Sequence, residues 1–169
     1  MRKVSLLVLA LLLLFSLSAC SEEKNLSART EKLPAFSITL PEGWSMNIPD
    51  GMECTASRCV AAFTHVPSGS RSAITVSVVP NLGKNLAEIA EETRQNMASH
   101  DAVMRETMRT DTRVEYEGTI KDSPARLIAT FDAKAEQVGI LLLVGENDEV
   151  WGIVRSLVMT NPALVFTKQ

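Results

Sequence analysis

The chain has 169 residues, of which 46% are hydrophobic and 22% are charged, a composition typical of one globular domain. Its 17 basic and 20 acidic side chains give a formal net charge of −3. This charge excludes an electrostatic argument for nucleic-acid binding, because phosphates attract a basic patch, and it gives no polybasic contribution to membrane binding.

Residues 1–19 are predicted to be a signal peptide. Arg2 and Lys3 precede an apolar run at residues 4–17, which at about 14 residues is shorter than the roughly 20 that a membrane-spanning helix needs. The sequence LSAC at residues 17–20 follows, and it resembles the lipobox of bacterial lipoproteins. This resemblance implies cleavage before Cys20 and attachment of lipid, including palmitate-type acyl chains, to the Cys20 sulfur. The alternative is an ordinary signal peptide with a cysteine nearby.

A lipid-bearing Cys20 predicts a protein of the cell envelope, anchored to a membrane and facing the periplasm or the exterior. Ser21 resembles the outer-membrane sorting pattern of enteric bacteria, which favours the outer membrane if the source is Gram-negative. Without the leader, 15 basic and 20 acidic residues leave a net charge of −5. Residues 20–33 are mostly polar and are predicted to be a flexible tether, and residues 34–169 are predicted to form a single domain.

Periodicity predicts the elements of this domain. Alternation of apolar and polar residues, together with β-branched content, predicts strands at residues 36–40, 58–66, 73–79, 113–120, 125–133, 137–144 and 150–158. Helical spacing predicts a helix from Asn85 to about His100, beginning at a capping box formed by Asn85 and Glu88. Beyond it the pattern is ambiguous, because Met104 and Met108 extend the helical stripe while several threonines favour extended chain. The order predicts an α+β fold, a mainly antiparallel sheet packed against one principal helix.

Three features resemble the PsbP/Mog superfamily, over roughly residues 35–158. They are the pattern FxIxLPxGW at residues 36–44, the helix segment Leu86–Ala90, and a hairpin from Gly118 to Ala125. The superfamily includes the bacterial lipoprotein DcrB. The resemblance implies an antiparallel sheet between helices and a role in binding other proteins without catalysis. Members usually have a second helix near the C-terminus, and residues 160–164, which follow the last predicted strand, are too few to form one.

Cys54 and Cys59 are the two cysteines that remain beside Cys20. In an oxidising compartment we expect them to form a disulfide, which would stabilise the fold by about 2 kcal/mol. The alternatives are half of a zinc site, which needs two further ligands, and a redox pair, which usually has the spacing Cys-x-x-Cys.

No catalytic constellation in the sequence is complete. The histidines are His65 and His100, no serine lies in a Gly-x-Ser-x-Gly motif, and His100 is expected to complement the helix dipole. Glu115 and Glu117 flank Tyr116 on one predicted strand and therefore point to the same side. They are interpreted as an exposed strand face, with an acid–base pair or a cation site as the alternatives.

The aromatic and glycine patterns add no cofactor site. Trp44 and Trp151 are interpreted as core anchors rather than as the lining of a groove. The sequence has no phosphate-binding loop and no dinucleotide-binding glycine pattern. We therefore predict no cofactor and no metal.

The sequence favours a membrane-anchored envelope lipoprotein that acts as a non-enzymatic, protein-binding accessory or adaptor. The expected partner is an envelope protein and not a nucleic acid. The alternatives are a structural or protective lipoprotein without a stable partner and, less favoured, a hydrolase.

Overall fold

The computed structural model describes residues 27–66 and 71–167. The helices in this part are α1 (Leu86–Ala98) and α2 (Asp148–Arg155). The strands are β1 (Arg29–Lys32), β2 (Phe36–Leu40), β3 (Trp44–Asn47), β4 (Cys59–His65), β5 (Ala73–Pro80), β6 (Ala102–Arg109), β7 (Arg113–Ile120), β8 (Ser123–Asp132), β9 (Gln137–Val144) and β10 (Val158–Met159). Neither helix in these ranges is long and apolar enough to cross a membrane. The predicted signal peptide and Cys20 lie outside the described residues.

The strands form two sheets. The larger has the order β3-β4-β5-β9-β8-β7-β6, and the smaller has the order β1-β2-β10. Every pairing among the described strands is antiparallel, and β9 pairs along its whole length with β5 on one side and β8 on the other. The predicted α+β class with a mainly antiparallel sheet is confirmed.

The larger sheet buries apolar side chains on both faces. One face packs against α1, where the helix residues Leu86 and Met97 belong to the same buried cluster as the sheet residue Leu127. The opposite face packs against α2 and the smaller sheet, where Trp151 and Phe36 belong to the same buried cluster. The central strand β9 divides its leucines between the two clusters, as expected of a strand that is covered on both sides.

The start of α1 agrees with the prediction. Asn85 precedes the helix, and its side-chain oxygen accepts a hydrogen bond of 2.9 Å from the backbone N–H of Glu88. The Glu88 carboxylate accepts one of 3.0 Å from the Asn85 N–H. This reciprocal capping box satisfies two N–H groups that the helix itself cannot pair.

The prediction of a strand at residues 150–158 is wrong, because Asp148–Arg155 forms the helix α2. The Asn147 side chain caps this helix and accepts a hydrogen bond of 2.9 Å from Val150 N. Asp148 and Glu149 lie in the first turn and Arg155 in the last, where each charge suits the helix dipole. The chain therefore has a second helix near the C-terminus, which was not predicted from the sequence.

Four of the described strands were not predicted, and one of them is β10, which starts at the last residue of the strand that was wrongly predicted at residues 150–158. β1 lies within residues 20–33, which were assigned to a tether, and it pairs in register with β2 from Arg29 opposite Leu40 to Lys32 opposite Ser37. β3 follows the turn after β2, and β6 follows α1 at the edge of the larger sheet. A register shift between Glu106 and Met108 interrupts the alternation of β6, which explains the ambiguous pattern there.

Candidate functional site: an apolar groove beside a charged cluster

The candidate functional site is a groove of about 590 Å³ between α2 and the segment that follows it. Nine of its eleven lining residues are apolar: Trp151, Val154, Leu157, Val158, Met159, Pro162, Leu164, Val165 and Phe166, with Arg155 and Thr167 as the others. We call it the α2 groove. Val158 and Val165 are 65% and 46% exposed, so the lining includes apolar side chains that this chain leaves in contact with solvent.

One wall of the groove is residues 160–167, which we call the C-terminal strap. Leu164 and Phe166 of the strap are buried on the larger sheet. They have room there because β9 has a glycine at position 139. A Cβ atom on Gly139 would lie 2.8 Å from Phe166 Cζ and 3.3 Å from Leu164 Cβ. The absence of a side chain at Gly139 therefore allows the strap to pack closely.

Polar contacts hold the strap at both ends. Arg113 on β7 donates hydrogen bonds of 2.8 Å to the backbone oxygens of Val165 and Thr167. Near the start of the strap, the Asn161 side chain donates at 2.9 Å to Asp132 Oδ2 and to Gln137 Oε1. The shape of the α2 groove is therefore fixed by side chains of β7, β8 and β9.

A cluster of charges centred on Arg126 contacts Trp151, one of the residues that line the groove. The Arg126 guanidinium is 2.6 Å from Glu117, 3.2 Å from Glu115 and 3.3 Å from Glu146. Arg126 also lies 5.7 Å from the centre of the Trp151 ring, within the range of a cation–π contact. Trp151 Nε1 donates to Glu146 Oε1 at 2.7 Å, which fixes the orientation of this indole.

Glu115 and Glu117 point to the same side of β7, as predicted, because both carboxylates reach Arg126. The interpretation as an exposed strand face is wrong for Glu115, which is only 4% exposed. Arg113 Nε donates to Glu115 at 2.6 Å, so two arginines neutralise this buried carboxylate. Within residues 27–66 and 71–167, no group of three or more His, Cys, Asp or Glu side chains is placed to hold a metal ion.

The histidines lie in separate structural settings. The His65 ring is 5.5 Å from the Trp44 ring at an interplanar angle of 36°, which is a packing contact between neighbouring strands. His100 follows the C-cap of α1, and its backbone N–H donates to Met97 O at 2.9 Å. These contacts do not bring the two histidines together with each other.

The two tryptophans are both buried, as expected of core anchors. Trp44 is fully buried and donates from Nε1 to Glu149 Oε1 at 2.9 Å, which ties β3 to α2. Trp151 is both a core residue and part of a groove, because it is 3% exposed and also lines the α2 groove.

Cys54 and Cys59 are joined by a disulfide, with the sulfur atoms 2.09 Å apart. Cys59 is fully buried at the start of β4, and Cys54 packs against the same apolar cluster. Of the interpretations that the sequence allowed, the structure therefore shows the disulfide.

On the opposite face of the sheet, a second polar cluster fastens α1. The Tyr116 hydroxyl donates to Glu91 Oε2 at 3.4 Å. Hydrogen bonds from Arg94, at 2.8 and 2.6 Å, are the main reason that the pKa of Glu91 falls to about 2. Burial raises the pKa of Tyr116 above its ordinary value. These contacts join the helix to β7.

No protein-family model and no curated protein sequence matches this chain. Among solved structures, the Saccharomyces cerevisiae Ran-binding protein Mog1p is similar, with a TM-score of 0.46 and 9% identity over 79% of this chain and 96% of Mog1p. A Mog1 variant with one glutamate replaced by alanine is similar over the same shares of the two chains, with a TM-score of 0.45 and 10% identity.

Proposed function

We propose that this chain is a lipid-anchored protein of the bacterial cell envelope that binds another envelope protein and performs no catalysis. The observation that carries the proposal is the α2 groove. Ligand and protein sites are typically concave and mostly apolar, and this groove exposes Val158 and Val165 between a helix and a strap that are fixed in place. The charged groups beside it are engaged with one another as ion pairs.

The anchor is supported by the sequence LSAC at residues 17–20 and by the Cys54–Cys59 disulfide, which suits an oxidising compartment. With lipid on Cys20, residues 21–28 are all that separates it from β1. At no more than about 3.4 Å per residue, these residues reach about 27 Å, so the domain works close to the bilayer surface. A partner is therefore expected in or beside the same membrane.

Purification of the full chain with its anchor, extracted from membranes in mild detergent, tests this function. We expect a protein partner in a fixed ratio to the chain. Val158→Asp, at a 65% exposed position of the groove, should reduce the recovered partner at least about tenfold. Val103→Asp is the matched control, because Val103 is 76% exposed but lies on β6, outside the groove.

Two results would contradict the proposal. Recovery of the chain without any partner in fixed ratio supports a structural or protective lipoprotein instead. Equal loss of the partner in both valine variants would show that binding does not depend on the α2 groove.

A further inference from the structure

The free edge of β10 runs along the α2 groove. In the described part of the chain β10 pairs with β2 alone, with Val158 opposite Ser37 and Met159 opposite Phe36. Val158 and Met159 both line the groove, although consecutive side chains of a strand point to opposite faces of the sheet. A groove that both residues line therefore follows the edge of the strand rather than one face.

The backbone of Met159 is oriented toward this edge. The N–H of Thr160 donates to Ala35 O at 2.9 Å, so it points toward β2. The N–H of Phe36, opposite Met159, is directed to Leu33 O at 3.3 Å rather than to β10. Because backbone groups alternate between the two edges of a strand, the N–H and C=O of Met159 point away from β2 and toward the groove.

This combination selects an extended polypeptide as the occupant. An unpaired strand edge gains hydrogen bonds from an added strand, and an adjacent apolar groove accepts alternate side chains of that strand. An acyl chain fills apolar space but pairs with no backbone group. Arg155 is the one charged side chain among the groove's described lining residues, so a carboxylate on the occupant complements it.

We propose that an extended segment of the partner protein, apolar at alternate positions and carrying a carboxylate opposite Arg155, adds to β10 as a further antiparallel or parallel strand. The inference rests on the proposed function, since it states how the partner of the α2 groove is held. It adds that backbone pairing, and not apolar contact alone, holds the partner.

Met159→Pro tests how much backbone hydrogen bonding at β10 contributes to binding of the partner. Proline has no N–H, and it is tolerated on a sheet edge where the N–H faces outward, so β10 keeps its pairing with β2. Met159→Leu is the matched control, because it keeps the N–H and an apolar side chain of similar size. Arg155→Glu tests the charge, and Arg155→Lys is its control.

The experiment uses the full, lipid-anchored chain with a photoreactive amino acid at Val165, irradiated in the membranes of the expressing cells. We expect one adduct with a different protein, with the cross-linked peptide identified by mass spectrometry as an extended segment containing Asp or Glu. Met159→Pro and Arg155→Glu should each lower the adduct at least about tenfold, while Met159→Leu and Arg155→Lys stay within about twofold. The Tm of each variant must match the Tm of the parent chain.

The outcomes separate this inference from the proposed function. An undiminished adduct in Met159→Pro, together with its loss in Val158→Asp, overturns strand addition but leaves protein binding in the groove intact. An adduct of twice the chain's own mass overturns the assignment to a different protein and makes a second copy the occupant. A lipid adduct, or no adduct together with no co-purified partner, overturns both proposals.

Discussion

The packing of the C-terminal strap gives the sharpest test of the fold around the groove, through the substitution Gly139→Ala. The new methyl group would lie 2.8 Å from Phe166 Cζ, 3.1 Å from Thr130 Oγ1 and 3.3 Å from Leu164 Cβ. All three neighbours belong to buried residues, so none of them can move away freely. The strap has to shift, and one wall of the α2 groove shifts with it.

The size of the effect follows from the burial of the strap. Adding a methyl group to a packed core costs about 1–3 kcal/mol, and expelling the Phe166 side chain would cost at most about 3 kcal/mol. Replacing a glycine inside a strand recovers about 0.5–1 kcal/mol. We therefore expect a net loss of about 1–2 kcal/mol in the free energy of unfolding, or a decrease of about 3–8 °C in Tm.

Urea and thermal unfolding of a chain that begins at Ser27, with the disulfide intact, measure this loss. Gly152→Ala is the control, because a Cβ there meets only the end of the Arg155 side chain, at 3.8 Å. Alanine in the middle of α2 should raise stability by up to about 1 kcal/mol. A Gly139→Ala domain as stable as the parent would refute the close packing of the strap on β9.

Three further predictions concern the polar contacts, each measured by urea unfolding. Glu115→Ala leaves the buried Arg113 and the partly buried Arg126 without this partner and should cost about 3–5 kcal/mol. Glu117→Ala, at a side chain that is 37% exposed, should cost less than about 1 kcal/mol, and equal costs would contradict the burial of the Arg113–Glu115 pair. Asn147→Ala removes the cap of α2 and should cost about 1 kcal/mol, and no loss would mean that α2 does not begin there. The pKa of Glu91 in the folded chain is about 2, below its ordinary value of 4.5. The ionised carboxylate therefore stabilises the fold fully above pH 4.5, and this stabilisation is lost as the pH falls toward 2. Glu91→Gln should therefore be less stable than the parent at pH 6 and should approach it near pH 2, and a difference that does not change with pH would contradict the role of this charge.

Local sequence patterns predicted the parts of the fold that local forces decide. Asn85 and Glu88 satisfy each other's neighbouring backbone groups, so the start of α1 is encoded within four residues. The strands at residues 113–120 and 137–144 have the predicted limits, because a strand covered on one or both faces repeats its apolar residues regularly. The predicted Cys54–Cys59 disulfide closes a short loop and needs no distant contact.

The α2 helix was mispredicted although its sequence contains helix signals. Its β-branched residues favour a strand by propensity, but propensity is weaker than capping together with a buried stripe. Val150, Ile153, Val154 and Leu157 are spaced at helical intervals, and Asn147 stands at the N-cap position. This pattern would have identified the helix, and with it one wall of the groove.

The groove itself is not readable from local patterns. Its walls are α2, β10 and the C-terminal strap, and they meet because Gly139 on β9 and Arg113 on β7 position the strap. Likewise, sequence alternation placed Glu115 and Glu117 on the same side of β7. Only the pairing of β7 with β8 brings Arg126 between them and buries the first of the two.

The anchor is the part of this account on which the location of the protein depends, and the intact mass of the mature chain tests it directly. We predict that chain extracted from bacterial membranes begins at Cys20 and carries the added mass of a diacylglyceryl thioether on its sulfur, together with any acyl group on its amine. A mature chain that keeps residues 1–19, or one that begins at Cys20 without any fatty acid, would contradict the account.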